Sequence, residues 1–408
     1  MDKFDVIVVG AGLNGLAVAL ALGGRSCRTP LRVALIDRAD PMAFPVAAHD
    51  SRCSALTFAT QRMLQALGAW EAMAPHAQAM RNIIVTDAKD TAARKPLLSF
   101  LEPDEKAPAT LVENQMIFKA LLEQISLGPA ITLMARTEIS AVHFKPGLAH
   151  LAMVDGREIK ANLVVGADGR GSPMRKAAGL AYEGWDYPQS AITLTIGHEL
   201  PHSGRAEEHF HAHGVFAILP LSGNRSSLVW TETHERAKAI CTLPDEAFLV
   251  ELNQRFGHHR GGLSLLSPRH VYPLEMRLSS SFTADRLALI GDAAHALHPL
   301  AGLGLNMGFK DAAALADCVM QAAGLGSDIG APSVLEAYAQ WRRFDTYATA
   351  TMLDGLNRLF ANDVEALRQL RHFGLRLVDH MQPLKKALAH EASGITGDLP
   401  RLMRGLAA

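Results

Sequence analysis

A strand, a glycine motif and a helix in immediate succession restrict this chain more than any other feature. Phe4 to Val9 is an unbroken apolar run, Gly10-Ala11-Gly12-Leu13-Asn14-Gly15 follows without a spacer, and Leu16 to Leu22 is an Ala/Leu-rich helical stretch. A lone GxGxxG is common by chance, but in this context it reads as the first βα turn of a dinucleotide-binding unit. Gly10 allows the tight turn, Gly12 lets a pyrophosphate approach the backbone, and Gly15 permits close helix packing. The helix N-terminus, with Asn14 in its first turn, offers unpaired N–H groups and partial positive charge. A second strand, Leu31 to Ile36, ends at Asp37, 22 residues beyond Gly15, where a carboxylate accepts hydrogen bonds from an adenosine ribose.

Composition limits what surrounds that unit. At about 150 residues per domain, 408 residues predict two or three domains. Lys plus Arg (40) nearly cancels Asp plus Glu (41), leaving a net charge of -1, which argues against a nucleic-acid partner held by a basic face. Hydrophobic residues make up 49% and charged residues 20%, without an apolar run long enough to span a bilayer. The apolar strand begins so early that no room is left for a signal peptide, and Cys27, Cys53, Cys241 and Cys318 are scattered without CxxC spacing. A cytoplasmic, metal-free protein with reduced thiols is expected.

Two later segments repeat the pattern of an apolar strand ending in Gly and Asp. Asn162-Leu-Val-Val-Gly-Ala-Asp168-Gly169-Arg-Gly-Ser172-Pro-Met-Arg175 runs from strand into a Gly-rich turn, with Arg175 as a cation at the following helix start. Arg286-Leu-Ala-Leu-Ile-Gly291-Asp292-Ala-Ala-His295 does the same, and His298-Pro299-Leu-Ala-Gly302-Leu303-Gly304-Leu305-Asn306-Met-Gly308 leads into an Ala-rich helix expected over Phe309 to Ala323. Three such strand ends converge outside the carboxyl edge of an open parallel sheet, so a single ligand must be long enough to touch all three. His295 and His298 read as turn-orienting or packing residues, and Cys53 as an inert thiol.

Between these motifs the period changes to that of a sheet. Ala191 to Gly197, Glu208 to His213, Val215 to Leu219 and Ser226 to Thr231 read as short strands, with Arg81 to Ala88 joining them. His209, His211 and His213 alternate, which places them on one face of a strand as a polar wall. After residue 345 the apolar spacing is helical, and Arg358, Arg368, Arg371, Arg376, Lys385, Lys386, Arg401 and Arg404 make this end locally basic. Such a surface suits a membrane interface, an anionic partner, or plain solvation of helices packed on the rest.

These motifs together resemble the flavoprotein aromatic hydroxylases of the para-hydroxybenzoate hydroxylase type, and within them the ubiquinone-biosynthesis hydroxylases. The first motif is similar to their FAD fingerprint, Asp168-Gly169 to their "DG" motif, and Gly291-Asp292 through Asn306 to their "GD" motif. Asp50-Ser-Arg52 looks like their early Arg motif, and Leu353-Asp-Gly-Leu with Arg371-His-Phe-Gly374 like the tail of the ubiquinone branch. The resemblance implies an α/β fold: a Rossmann-type FAD-binding domain (1–75, 100–180 and 275–344), an inserted mixed β-sheet substrate domain (76–99 and 181–274) and a C-terminal helical segment (345–408). It also implies that Gly10, Gly12, Asn14, Gly15, Asp37, Arg52, Asp168, Gly169, Gly291, Asp292, Gly304, Leu305 and Asn306 hold FAD. Arg52 would bring positive charge to the phosphates, and Pro299, Gly302, Leu303 and Gly304 would face the flavin. Leu303 stands where family members usually carry Gln or Lys, which leaves the backbone contacts of that turn intact.

The implied reaction is hydroxylation of a polyprenylated phenol through a flavin C4a-hydroperoxide, with O₂ as co-substrate and NAD(P)H or a protein donor as reductant. The catalytic proton-transfer residue is not identified by these motifs. The basic tail would give peripheral association with the inner membrane surface or with a biosynthetic complex. Two other readings stay open: another flavoprotein oxidoreductase, such as a small-phenol hydroxylase or polyprenyl reductase, and a non-catalytic flavin-binding component.

Overall fold

Val6, Ile7, Val8 and Val9 are β-branched and uninterrupted, a composition that suits a strand covered on both faces. In the computed structural model, which describes residues 2–43, 52–87, 96, 98–101, 107, 109–145, 147–360, 381 and 393–408, this run is at the centre of a mixed sheet. Across it the order is Thr283–Ala284, Leu287–Leu289, Glu158–Gly166, Asp2–Val9, Val33–Ile36 and Ile131–Met134. All but the first of these run parallel. Val9 pairs with both Gly166 and Ile36, and Gly166 with Leu289, so four strands stop at one level. The turns at Gly10, Asp37, Asp168 and Gly291 therefore share one sheet edge. The helices Leu13–Gly23 and Gly304–Gly324, both rich in Ala and Gly, pack against each other beside that edge.

A second sheet has the order His295–Ala296, His270–Ser279, Tyr182–His198, Arg225–Thr233, Gly214–Leu221, Arg205–His211, Asn82–Asp87 and Leu98–Leu101. It is mixed because Asn82–Asp87 runs parallel to Arg205–His211 while the other pairs are antiparallel. One face carries Ile192, Leu194, Phe216, Ile218, Leu228 and Trp230 and is covered by the helices His234–Cys241 and Asp245–Phe256. The opposite face is covered by the Leu297–Leu303 loop and by a long helix, Pro332–Phe360. The pair His295–Ala296 ties the two sheets together, because it follows Gly291–Asp292 directly and hydrogen-bonds Arg277 and Leu278.

Several boundaries differ from expectation. The Ala-rich helix starts at Gly304 instead of Phe309, so Gly304, Leu305 and Asn306 form its first turn. The substrate sheet runs to Ser279, and the long helix passes through residue 345 without a break, since a 29-residue amphipathic run has no Gly/Pro signal at that position. Residues 393–408 are not helical apart from one short turn, and Leu402 and Met403 are buried in the core of the first sheet. His213 lies in the turn after Arg205–His211, so the three histidines do not share a strand face. Arg368, Arg371, Arg376, Lys385 and Lys386 lie outside the described residues, as does Asp50.

Candidate active site

The fingerprint turn is as tight as its glycines imply. Gly10 has φ +102°, and a Cβ there would strike the carbonyl of Ala167, which ties this turn to the one after Glu158–Gly166. A Cβ on Gly15 would meet the Gly10 carbonyl, whereas one on Gly12 would meet nothing within 4 Å. The space over Gly12 is open to a ligand. Asp37 accepts from Ala11 N–H at 2.7 Å and from Ala39 N–H at 2.8 Å, so its carboxylate is fixed beside the turn.

Asn14 has a larger structural role than the motif alone conveys. Its amide is wedged between Gly291, which has φ +55°, and Gly308; a Cβ at either glycine would collide with it. Its Oδ1 is buried and has no hydrogen-bond partner among the described residues. An unpaired buried carbonyl is costly, and a ligand donor at this edge would satisfy it.

The carboxylate of Asp168 is turned into its own loop. It accepts from Ser172 Oγ at 2.5 Å and from Met174 N–H at 2.9 Å, and burial pushes its carboxyl above the usual range. Asp168 therefore shapes the Gly169 turn instead of reaching outward. Arg175 is buried, not a simple surface cation: it donates to the carbonyls of Ala293 and Arg170 and lies 3.7 Å over the Tyr182 ring. Tyr182 in turn donates to the Asp292 carbonyl at 2.9 Å, and Arg170 pairs with the exposed Asp292 carboxylate at 3.2 Å.

From inside, the Gly291 turn is held by Asp311, a residue the motif reading did not single out. Asp311 accepts from Gly291 N–H at 3.0 Å, meets His295 Nε2 at 2.6 Å and accepts from Arg342 Nε at 2.8 Å. Burial alone would push this carboxyl up, but His295 and Arg342 hold it below the usual carboxylate range. His295 is thus an orienting residue. A sequence signal existed in retrospect: an Asp within an Ala-rich apolar helix needs a charged partner.

Pro299 precedes the short turn Leu300–Gly302, and Leu303 leads into the helix at Gly304. The first N–H groups of that helix have no intrahelical acceptor, and a Cβ on Gly304 would meet nothing within 4 Å. Asn306, expected among the cofactor contacts, directs its side chain into the protein: it accepts from Thr57 N–H at 3.0 Å and donates to Ala55 O at 2.7 Å and to Gly302 O at 3.2 Å. It anchors the turn. Arg52 sits with its guanidinium 5.7 Å from the Tyr272 ring, next to the substrate sheet. His298 is 1% exposed, receives Leu300 N–H at Nδ1, and packs edge-on to Tyr187 at 5.1 Å. Burial pushes it down to about 4, so it is neutral, and its Nε2 carries the proton without a partner among the described residues.

His209 is also structural. It meets Thr86 Oγ1 at 2.6 Å and Glu207 at 3.1 Å, and Glu207 further pairs with Arg260 at 2.6 Å. Among the described residues no group of three or more His, Cys, Asp or Glu is placed to hold a metal. A groove of about 550 Å³ lies between Thr283–Asp285 and Pro332–Arg343, away from the shared strand ends.

Open space over Gly12 and Gly304, two helix N-termini and the orphaned Asn14 carbonyl along one sheet edge fit an extended dinucleotide. Comparison with known proteins agrees. The family described as FAD binding domain matches residues 3–348. The chain is 40% identical to a ubiquinone hydroxylase, UbiL, of Rhodospirillum rubrum, over 98% of this chain and 93% of that protein. It is 30% identical to 3-demethoxyubiquinol 3-hydroxylase of Escherichia coli, over 96% of this chain and 98% of that protein. The fold is similar to that of p-nitrophenol 4-monooxygenase PnpA of Pseudomonas putida, with a TM-score of 0.79, 18% identity and coverage of 96% and 99%. Fold and site define an FAD-dependent aromatic-ring monooxygenase with O₂ and NAD(P)H as co-substrates. Within that class the chain belongs to the hydroxylases of ubiquinone biosynthesis.

Proposed function

We propose that the ring hydroxylated by this protein is a phenol carrying a polyprenyl tail. The observation that carries this reading is the apolar cluster where the Gly-rich turn meets the substrate sheet. Leu300 is buried there with Phe210, Val215, Leu353 and Phe360, and Leu297, Leu303, Leu356 and Leu359 pack against them. The cross-strand row on this side, His270, Thr193, Val229, Ala217, Glu208 and Val85, carries no Lys or Arg, whereas a benzoate substrate calls for one. Leu303, in place of a polar residue, adds to the apolar lining.

Bound FAD, once reduced, supplies the means to transfer one atom of O₂ to an electron-rich ring carbon. Gly10, Gly12, Asn14, Gly15, Asp37, Gly169, Gly291 and Asp292 would hold it along the sheet edge. The first N–H groups of the Gly304 helix would face negative charge on the ring system. The apolar cluster would exclude water, and His298 Nε2–H would stand as a buried donor beside Pro299. Incubation with labelled O₂, reductant and prenylphenols should give a product carrying one labelled oxygen, identified by mass spectrometry. Turnover of a short-chain benzoate in preference to the prenylphenol would reject the reading.

Peripheral association with a lipid surface belongs to the same proposal. No described helix is long and apolar enough to cross a membrane, and Phe344, Tyr347 and Met352 stand exposed on the long helix. These side chains and the basic residues beyond Phe360 would together suit an interfacial contact.

A further inference from the structure

We propose that Glu208 is the residue that receives the ring hydroxyl of the substrate and takes its proton. The inference rests on the phenol reading above, and its basis is the placement of this one carboxyl. Glu208 lies in the strand Arg205–His211 between Val85 on one side and Ala217 on the other, in register with both. Its strand neighbours Glu207 and His209 point to the opposite face, where Arg260, His259 and Thr86 satisfy them. Phe210, two residues on, shares the face of Glu208 and stacks on Phe360 of the long helix at 3.9 Å. Val85 and Phe210 both belong to the cluster that contains Leu300 of the turn after Pro299. Glu208 is therefore a carboxyl on the wall that the Gly-rich turn covers.

No hydrogen bond or ion pair to Glu208 exists among the described residues, and burial pushes its carboxyl up to about 7. Glu208 is half-buried, and Thr193 Oγ1 and Thr231 Oγ1, on the same face, are buried without partners among the described residues. Unpaired polar groups on an apolar wall mark a face built for an oxygen-bearing ring. The ionisable groups on the surrounding elements do not neutralise Glu208. Arg358 is taken by Asp354, which also accepts from Tyr187; His298 is neutral; His270 stands at the far end of the cross-strand row beside Tyr272; and Asp87, paired with Phe210, is itself an acid.

The step balances with the established reaction. The substrate O–H bond breaks as its proton passes to a Glu208 carboxylate oxygen, and the electron pair left on oxygen raises density at the ring carbon. That carbon forms its new C–O bond with one atom of O₂, while the other atom leaves as water using the two electrons of the reductant. The hydrogen displaced from the carbon departs as a proton, and Glu208 returns its own to the ring oxygen. A base with an ionisation near the working pH suits this exchange.

The test pairs a polyprenylphenol with its methyl ether, on wild type and on Glu208→Gln, with FAD content and thermal melting as folding controls. Binding is read first, by protein fluorescence. Wild type should prefer the phenol over the ether by about tenfold or more at pH 8, less at pH 6, because the ionised carboxylate makes the stronger hydrogen bond. Glu208→Gln should show a small preference that does not change with pH. In turnover of the phenol, wild-type kcat/KM should rise through pH 7, and Glu208→Gln should lose that limb and about 10²-fold or more in rate. Equal preference and equal pH profiles in the two proteins would overturn the role of Glu208 while leaving the phenol reading intact. A wild type that turns over neither compound would overturn the substrate reading itself. If Glu208→Gln does not fold, the wild-type preference decides: without a rise between pH 6 and 8 the proposal fails.

Discussion

Asp311 shows how one buried charge can hold a turn, here the one at Gly291, from the inside. Its two oxygens are shared among Gly291 N–H, His295 and Arg342, and the side chains of Asp311, His295 and Arg342 are all buried. Removing one partner of such a network typically costs about 3 to 5 kcal/mol, because the other charges stay buried and unpaired. Asp311→Asn should therefore lower the melting temperature at neutral pH and release FAD more readily. The pH dependence follows from the sign of the shift. A carboxyl held below its unfolded value adds stability above that value and loses it as pH falls through the folded one. The gap between Asp311→Asn and wild type should accordingly be full at pH 7 and narrow below about pH 4. A gap that does not change between pH 7 and pH 3 would show that the destabilisation is not electrostatic.

At the scale of elements, the strand ends were legible in the sequence because each motif is local. A β-branched run, a glycine at the turn and an acidic residue follow one another within a few positions, and the parallel register then aligns them. What could not be read was pairing across distance. Asn306 carries the signal of a cofactor contact, yet its partners Ala55 and Thr57 lie 251 and 249 positions away. Asp168 likewise serves its own turn, and Glu208 had no local pattern at all. The helix beginning at Gly304 gives a prediction at this level. Val at that position would project into the open space over the turn, whereas Leu303→Gln changes a side chain and leaves the backbone path free. Gly304→Val should lower the ratio of hydroxylated product to reductant consumed well below that of Leu303→Gln. Equal losses in both would reject a backbone-based contact.

At the scale of the whole molecule, the long helix carries exposed Phe344, Tyr347 and Met352 toward a segment rich in Arg and Lys. A prenyl substrate partitions into lipid at about 0.8 kcal/mol per CH₂, and cations near an anionic surface contribute about 1 kcal/mol each. The protein should sediment with anionic liposomes at low salt. Reversing charge at Arg371, Arg376, Lys385 and Lys386 should reduce that without loss of FAD. Unchanged sedimentation in this variant would assign the basic tail to protein packing instead.

The segment Gly291–Ala296 ends the parallel sheet and, within the same few residues, contributes the edge pair that meets Arg277 and Leu278 of the other sheet. Through those backbone hydrogen bonds, occupancy at one sheet edge should be felt at the edge of the second sheet. Amide hydrogen exchange would register this: adding FAD to the cofactor-free protein should slow exchange at Arg277 and Leu278 as well as at the fingerprint turn, because the ligand stabilises both against local opening. Protection confined to the fingerprint turn would mean that the two sheets open independently, and that the state of the flavin is not felt where the substrate rests.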